Sequence, residues 1–266
     1  MDISQKTFLI VSILFVLGAG FLFFAYKKEI ALFAWNNFYV FPSYALSLNN
    51  TDAFLARSIG DHYFNINGKG TYNLDTAESY YKKALEIDPL VSDVWHQLAR
   101  IHFLIGNFPE ALEKINTQIN LHGDSFMASY YIRGLIYGYA KQFDKSESDF
   151  RKFLSWDKRN WAAHNDLAWV YFQQGEYEKA RATAIEGLEY GTNNPWLLNM
   201  VGIASFNLGD MKMAQEYLEK ALEEAEKLTE YDWHKAYPGN NPDSAQQGIF
   251  EMKKAIRVNL DLLVDN

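Results

Sequence analysis

Apolar and polar positions divide the chain into three regimes. The first is residues 8–26, "FLIVSILFVLGAGFLFFAY", which hold no charged side chain. At helical rise this run spans roughly 28 Å, close to the ~30 Å hydrocarbon core of a bilayer. Lys6 stands before it, and Lys27 and Lys28 end it. The pattern predicts an N-terminal transmembrane anchor over residues 1–28. A cleaved signal peptide is the alternative, with 8–17 as its apolar region and Gly18, Ala19 and Gly20 as the small-residue site. The run continues well past that site, which favours the anchor. Lys6 and the α-amine face Lys27 and Lys28, so charge does not fix the orientation.

The second regime, residues 29–52, is an aromatic juxtamembrane segment. Phe33, Trp35, Phe38, Tyr39, Phe41 and Tyr44 crowd it. Such rings suit the membrane–water interface, and they suit equally well packing against the helices that follow. Asn36, Asn37 and Pro42 argue against a second span.

From residue 53 the apolar positions recur with the period of helices and the whole pattern repeats. Small residues stand at Ala77, Ala111, Ser146, Ala180 and Ala214, at spacings of 34, 35, 34 and 34. Four residues after each come Tyr81, Ile115, Phe150, Ala184 and Leu218. Turns precede the small residues ("IGNFPE", "AKQFDK", "QQGEYEK", "NLGDMKM"), and apolar helices precede the turns ("VWHQLARIHFL", "YYIRGLIYGY", "AHNDLAWVYF", "LLNMVGIASF"). Each unit is therefore a helix, a tight turn and a second helix. The small residue lets the two helices approach, and the larger one a turn later fills the gap. One unit cannot bury its apolar face alone, so neighbours stack.

This array, residues 53–228, resembles the tetratricopeptide repeat (TPR) family, whose pattern is W-x2-L-G-x2-Y…A-x3-F…P. The second unit reads Trp95-x2-Leu98-Ala99-x2-His102…Ala111-x3-Ile115, and the third Tyr130-x2-Arg133-Gly134-x2-Tyr137…Ser146-x3-Phe150. The resemblance implies an all-α solenoid of about five helical hairpins. Departures are the longer first loop, "NINGKGTYNL", and the absence of most closing prolines. Arg133 stands at a position that is apolar in the family, so that helix is rotated or the side chain snorkels. After the array, "TEYDWHKAYPGNNPDS" (229–244) reads as a loop. Residues 245–266 then form a C-terminal capping helix, with Ile249, Met252, Ile256, Leu260 and Leu263 on one face. A docking helix is the alternative.

Composition narrows the chemistry. The net charge of −8 argues against nucleic acid, and the absence of cysteine excludes disulfides and thiolate chemistry. No two of the six histidines have the i,i+3 or i,i+4 spacing of helical metal ligands, so no metal or other cofactor is expected. No nucleophile elbow or P-loop is present, and no enzymatic role is read. His102, at the repeat's tyrosine position, is read as a packed core residue. The aromatic content of 16% leaves rings for an interface.

The resemblance implies a concave groove lined by the first helix of each unit. The residues it places there are His96, Arg100, Tyr131, Tyr139, Asn165, Trp169, Phe172, Asn199 and Phe206. Asn165 and Asn199 are 34 apart, hence stacked in register, where paired amides bond an extended backbone. Only Arg100 is cationic, which argues against a clamp for a terminal carboxylate. Together these features describe a membrane-anchored scaffold or assembly factor that binds a protein partner, with lipid contact through its N-terminal helix. A targeting receptor or regulator for client peptides, or an accessory subunit of a membrane enzyme complex, are the alternatives. The expected location is a prokaryotic plasma membrane, with the array on the external side.

Overall fold

In a computed structural model the protein is described over residues 26–65, 71–237 and 239–264. The apolar run of 8–26, save its last residue, lies outside these. Among the described residues there is no strand, and no helix is long and apolar enough to cross a membrane. The chain divides into two compact units, one of residues 1–60 and 79–91 and the other of 61–78 and 92–266.

The first unit contains helix α1, residues 26–38, and α2, Pro42–Leu48. Helices α3, Ala53–Tyr63, and α4, Leu74–Ile87, follow and contribute to both units. Trp35 is buried, whereas Phe33, Phe38 and Phe41 are 61%, 64% and 68% exposed. The aromatic segment thus folds as two helices that turn most of their rings outward. Gly60 of α3 lies against Tyr81 of α4: a Cβ there would come within 2.6 Å of the ring.

The second unit is a succession of helical hairpins. They are α5 (Val94–Leu104) with α6 (Phe108–His122), α7 (Ala128–Tyr139) with α8 (Phe143–Trp156), α9 (Trp161–Gln173) with α10 (Tyr177–Leu188), and α11 (Pro195–Asn207) with α12 (Met211–Glu226). The five small residues and the five larger ones of the repeat are all fully buried. Their contacts explain the spacing. A Cβ on Gly202 would lie 2.5 Å from Leu218 Cγ, and one on Gly134 3.1 Å from the Phe150 ring. The first helix of a pair must be small where the second is large. Cores then continue across neighbours: Ala99, Ala111 and Ile115 pack with Ile132 and Ile136 of the next hairpin.

One feature of the sequence reading is corrected and another is extended. Residues 229–244 are not simply a loop, because they hold a short helix α13, Glu230–Ala236. Its cause is a capping box in which the Thr229 side chain accepts from the Asp232 backbone N–H and Asp232 accepts from that of Thr229. For Arg133, where the sequence predicts rotation of the helix or snorkelling, the structure adds an ion-pair partner. Its guanidinium is held by both carboxylate oxygens of buried Asp149, at 2.7 and 2.8 Å, and donates to Asn116 at 2.9 Å. Such a fork-to-fork pair satisfies a cation inside a core. The last helix, α14 (Ala245–Val264), lays Ile256, Met252, Leu260 and Leu263 on Leu218, Ala221 and Ala225 of α12.

The turns inside the hairpins share one geometry. Gly106, Gly175 and Gly209 adopt φ of 77°, 76° and 78°. In each case the next backbone N–H reaches back five residues, as Asn107 does to His102 at 2.8 Å. That is the Schellman ending of a helix, which favours glycine at its left-handed residue. In α7–α8 the same bonds form, yet the residue is Lys141 at φ 58°, exposed on the surface. A left-handed conformation costs a residue with a Cβ roughly 1–2 kcal/mol. Lys141→Gly should therefore stabilise the protein by about 1 kcal/mol, read as an upward shift of the urea midpoint with unchanged slope.

Candidate functional site

The first helices of successive hairpins leave a cavity of about 620 Å³ in the second unit. Its walls come from α5 (His96, Arg100, Phe103), α7 (Tyr131, Leu135, Tyr139), α9 (Trp161, Asn165, Asp166) and α11 (Trp196). Tyr237 and Asn240, between α13 and α14, complete it. That segment is secured by rings: Trp233 and Tyr237 lie 4.5 Å apart, each near Trp196, which stacks on Trp161 at 5.7 Å. Gly239, at φ 87°, brings its backbone against Arg100, where a Cβ would meet Nη2 at 2.5 Å. The left-handed backbone at this residue favours glycine.

Five of the nine groove positions read from the sequence line this cavity: His96, Arg100, Tyr131, Tyr139 and Asn165. The other four do not. Trp169 is wedged between repeats, against the Gly138 backbone and 5.1 Å from the Tyr139 ring, so it buttresses the wall from behind. Phe172 packs into the core between α9 and its neighbours and against Tyr177 at 5.2 Å. Asn199 accepts from Asn259 of α14 at 3.2 Å, so the helix that ends the array covers it. The ladder with Asn165 is broken there. Phe206, near the end of α11, is half-buried away from the cavity.

His96 does not serve as a groove cation. Burial, and secondarily the charge of Arg100, lowers its pKa to about 3. Its Nδ1 pairs with Ser129 Oγ at 3.2 Å and its ring meets Phe126 edge-on. His102 is buried, with Nε2 3.7 Å from Glu78. Arg100 donates to Gln97 at 2.8 Å and lies 4.9 Å over the Phe64 ring.

Asp166 is the residue that sequence reasoning missed. It keeps some surface toward the cavity but is otherwise enclosed by protein, and this desolvation raises its pKa from 3.8 to about 6. Two hydrogen bonds oppose the shift, from Tyr131 Oη at 2.5 Å and from Asn165 Nδ2 at 3.4 Å. Burial raises Tyr131, Tyr139 and Tyr237 in turn, and the Asp166 charge adds to each. Three phenols thus stand in the field of one carboxylate. The signal in the sequence was that Asp166 is the lone charged residue of α9. Among the described residues no cluster of three potential metal ligands occurs.

The folded pKa of Asp166 exceeds its unfolded value, so between about pH 4 and 6 the folded state holds more protons. Stability falls as pH rises across that window, by up to about 3 kcal/mol, and stays lowered above it. Asp166→Asn should be more stable than the parent at about pH 7, by ~1–3 kcal/mol, and the advantage should vanish near pH 4. Urea unfolding of both proteins at the two pH values measures this.

TPR family models match residues 80–113, 139–201 and 197–228. The chain is 27% identical over 145 residues to anaphase-promoting complex subunit 3 of Schizosaccharomyces pombe, a match covering 54% of this chain and 22% of that protein. The chain therefore spans under a quarter of that relative's length. Among solved structures it is similar to PilW, a widely conserved type IV pilus biogenesis factor, at 16% identity and a TM-score of 0.59, over 80% of this chain and 98% of that one. It is also similar to YrrB, a TPR protein with an unusual peptide-binding site, at 16% identity and a TM-score of 0.55, over 69% and 91%. At such identities the structural likeness concerns the fold alone. Repeat spacing, buried small-and-large pairs and family matches agree that this chain carries tetratricopeptide repeats.

Proposed function

We propose that the protein is an interaction scaffold that holds a segment of a partner protein in the cavity of its second unit, at a membrane. The observation that carries the reading is the cavity itself. It is concave, walled by aromatic rings and furnished with the amides of Asn165 and Asn240. Rings that bury area at little entropic cost, beside groups that bond a peptide backbone, are what recognition of a polypeptide needs. YrrB, of this fold, has an unusual peptide-binding site, PilW, of this fold, is a pilus biogenesis factor, and the sequence relative from Schizosaccharomyces pombe is a subunit of the anaphase-promoting complex.

The membrane half of the proposal rests on the apolar run of 8–26 and on the rings that follow it. Phe33, Phe38 and Phe41 face outward from α1 and α2, beside exposed Tyr39 and Tyr44. The tyrosines, with their polar tips, suit the headgroup region, and the phenylalanines suit the boundary with the acyl chains. The anchor confines the protein to a surface and raises the local concentration of a membrane-bound partner. We place the array on the external face of a prokaryotic plasma membrane.

Two measurements test the two halves. Purified in detergent from its native cells, the protein should bring down one partner in fixed stoichiometry. Tyr139→Ala combined with Asn165→Ala, both on the cavity wall and neither fully buried, should weaken that association roughly tenfold or more. A population of unrelated clients instead would favour transient receptor action over a scaffold. Reconstituted with vesicles, the full chain should float with lipid and resist extraction by high salt, whereas a chain lacking residues 1–28 should stay largely in the aqueous fraction.

A further inference from the structure

Asp166 is a largely enclosed carboxylate with no counterion among the described residues. Ionised groups removed from water are normally paired with an opposite charge. Among the described residues Asp166 has hydrogen bonds from Tyr131 and Asn165 but no ion-pair partner. Arg100, the cationic side chain on the cavity wall, is held by Gln97 and by the Phe64 ring. It does not figure among the causes of the Asp166 shift. The carboxylate is instead bonded by Tyr131 and shares its cavity with Tyr139, Tyr237, Trp161 and Trp196.

A carboxylate framed by electron-rich rings is complementary to an organic cation. The faces of tyrosine and tryptophan attract an ammonium or guanidinium, and a desolvated carboxylate strengthens that attraction. The space also exceeds what a bare cation fills. Phe103, Ile132 and Leu135 add apolar wall for a hydrocarbon stem, and Asn165 and Asn240 offer amides to a peptide backbone. The net charge of −8 steers positively charged partners toward the protein.

We propose that the cavity receives a basic side chain, Lys or Arg, projecting from an extended segment of the partner polypeptide, with its cationic head on Asp166 and its stem between the rings. Tyr131 and Asn165 position the carboxylate, and Tyr237 closes the cage from the α13–α14 connection. This assignment rests on the concave face being the partner site, and it names what that site selects.

The test uses short acetylated and amidated peptides in an Ala, Ser and Leu background, with a central Lys, Arg, norleucine or Glu. They are labelled with fluorescein and titrated by anisotropy with the full chain in detergent at neutral pH. Norleucine keeps the stem and removes the charge. Lys and Arg peptides should bind roughly tenfold or more tightly than norleucine, and Glu weakest. Asp166→Asn should abolish the preference of Lys and Arg over norleucine, with the thermal transition showing that the variant is folded. Equal binding of Lys and norleucine would overturn the proposal yet leave the concave face as a peptide site. Failure of every peptide to bind would overturn both readings. A preference for Lys that survives Asp166→Asn would assign selectivity to the acidic surface and sink the cage. Competition by free lysine amide as tight as the Lys peptide would make the occupant a small amine, which also overturns the assignment.

Discussion

Hairpins of this chain close where a side chain of the second helix rests on a residue of the first that has little or no side chain. Tyr81 on Gly60, Phe150 on Gly134 and Leu218 on Gly202 are three instances. The approach sets the distance between the helices, and the distance decides which residues reach the next hairpin. The remaining architecture depends on this contact. A hairpin that closes tightly still leaves one apolar face uncovered, so it persists only against a neighbour. In the second unit the last such face is covered by α14, through Ile256, Met252 and Leu260.

Stacking of this kind produces a concave wall without any residue being selected for it. What makes the wall specific is the departure from good packing at Asp166. Placing a carboxylate among Tyr131, Tyr139 and Tyr237 opposes folding at neutral pH, by the same desolvation that lifts its pKa to about 6. A core built for stability alone would have an apolar residue or a paired charge there, as it does at Arg133 and Asp149. The contrast between the two sites is informative. One buried charge is neutralised within the fold, and the other is left for something outside it.

The helices were legible in the sequence because the restraint behind them acts at fixed spacing. Ala111 and Ile115, or Ala214 and Leu218, announce a hairpin by size and separation alone, and Gly106, Gly175 and Gly209 announce its turn. Lys141 shows the limit, since the turn forms there although its glycine is absent. The site was legible only in part, because it is made by segments distant in the chain. His96, Arg100, Tyr131, Tyr139 and Asn165 follow from helix phase. Trp169 and Phe172 share that phase, but they are bulky enough to be taken into the contacts between repeats. Asn199 lies under α14, whose position no repeat period specifies. The roof was hidden for a similar reason: two prolines and a glycine mask the Thr229–Asp232 capping box that makes α13.

Tyr237 joins Asp166 on the cavity wall only after α9 to α13 have folded. Chains emerge from the ribosome N-terminus first. The acidic floor of the cavity is therefore synthesised well before its roof. A nascent or clipped chain that stops before α13 displays that floor open to water, and the enclosure is complete only once Tyr237 and Asn240 have followed. Binding competence is thus tied to synthesis of the α13–α14 connection, so a later segment completes what an earlier one begins.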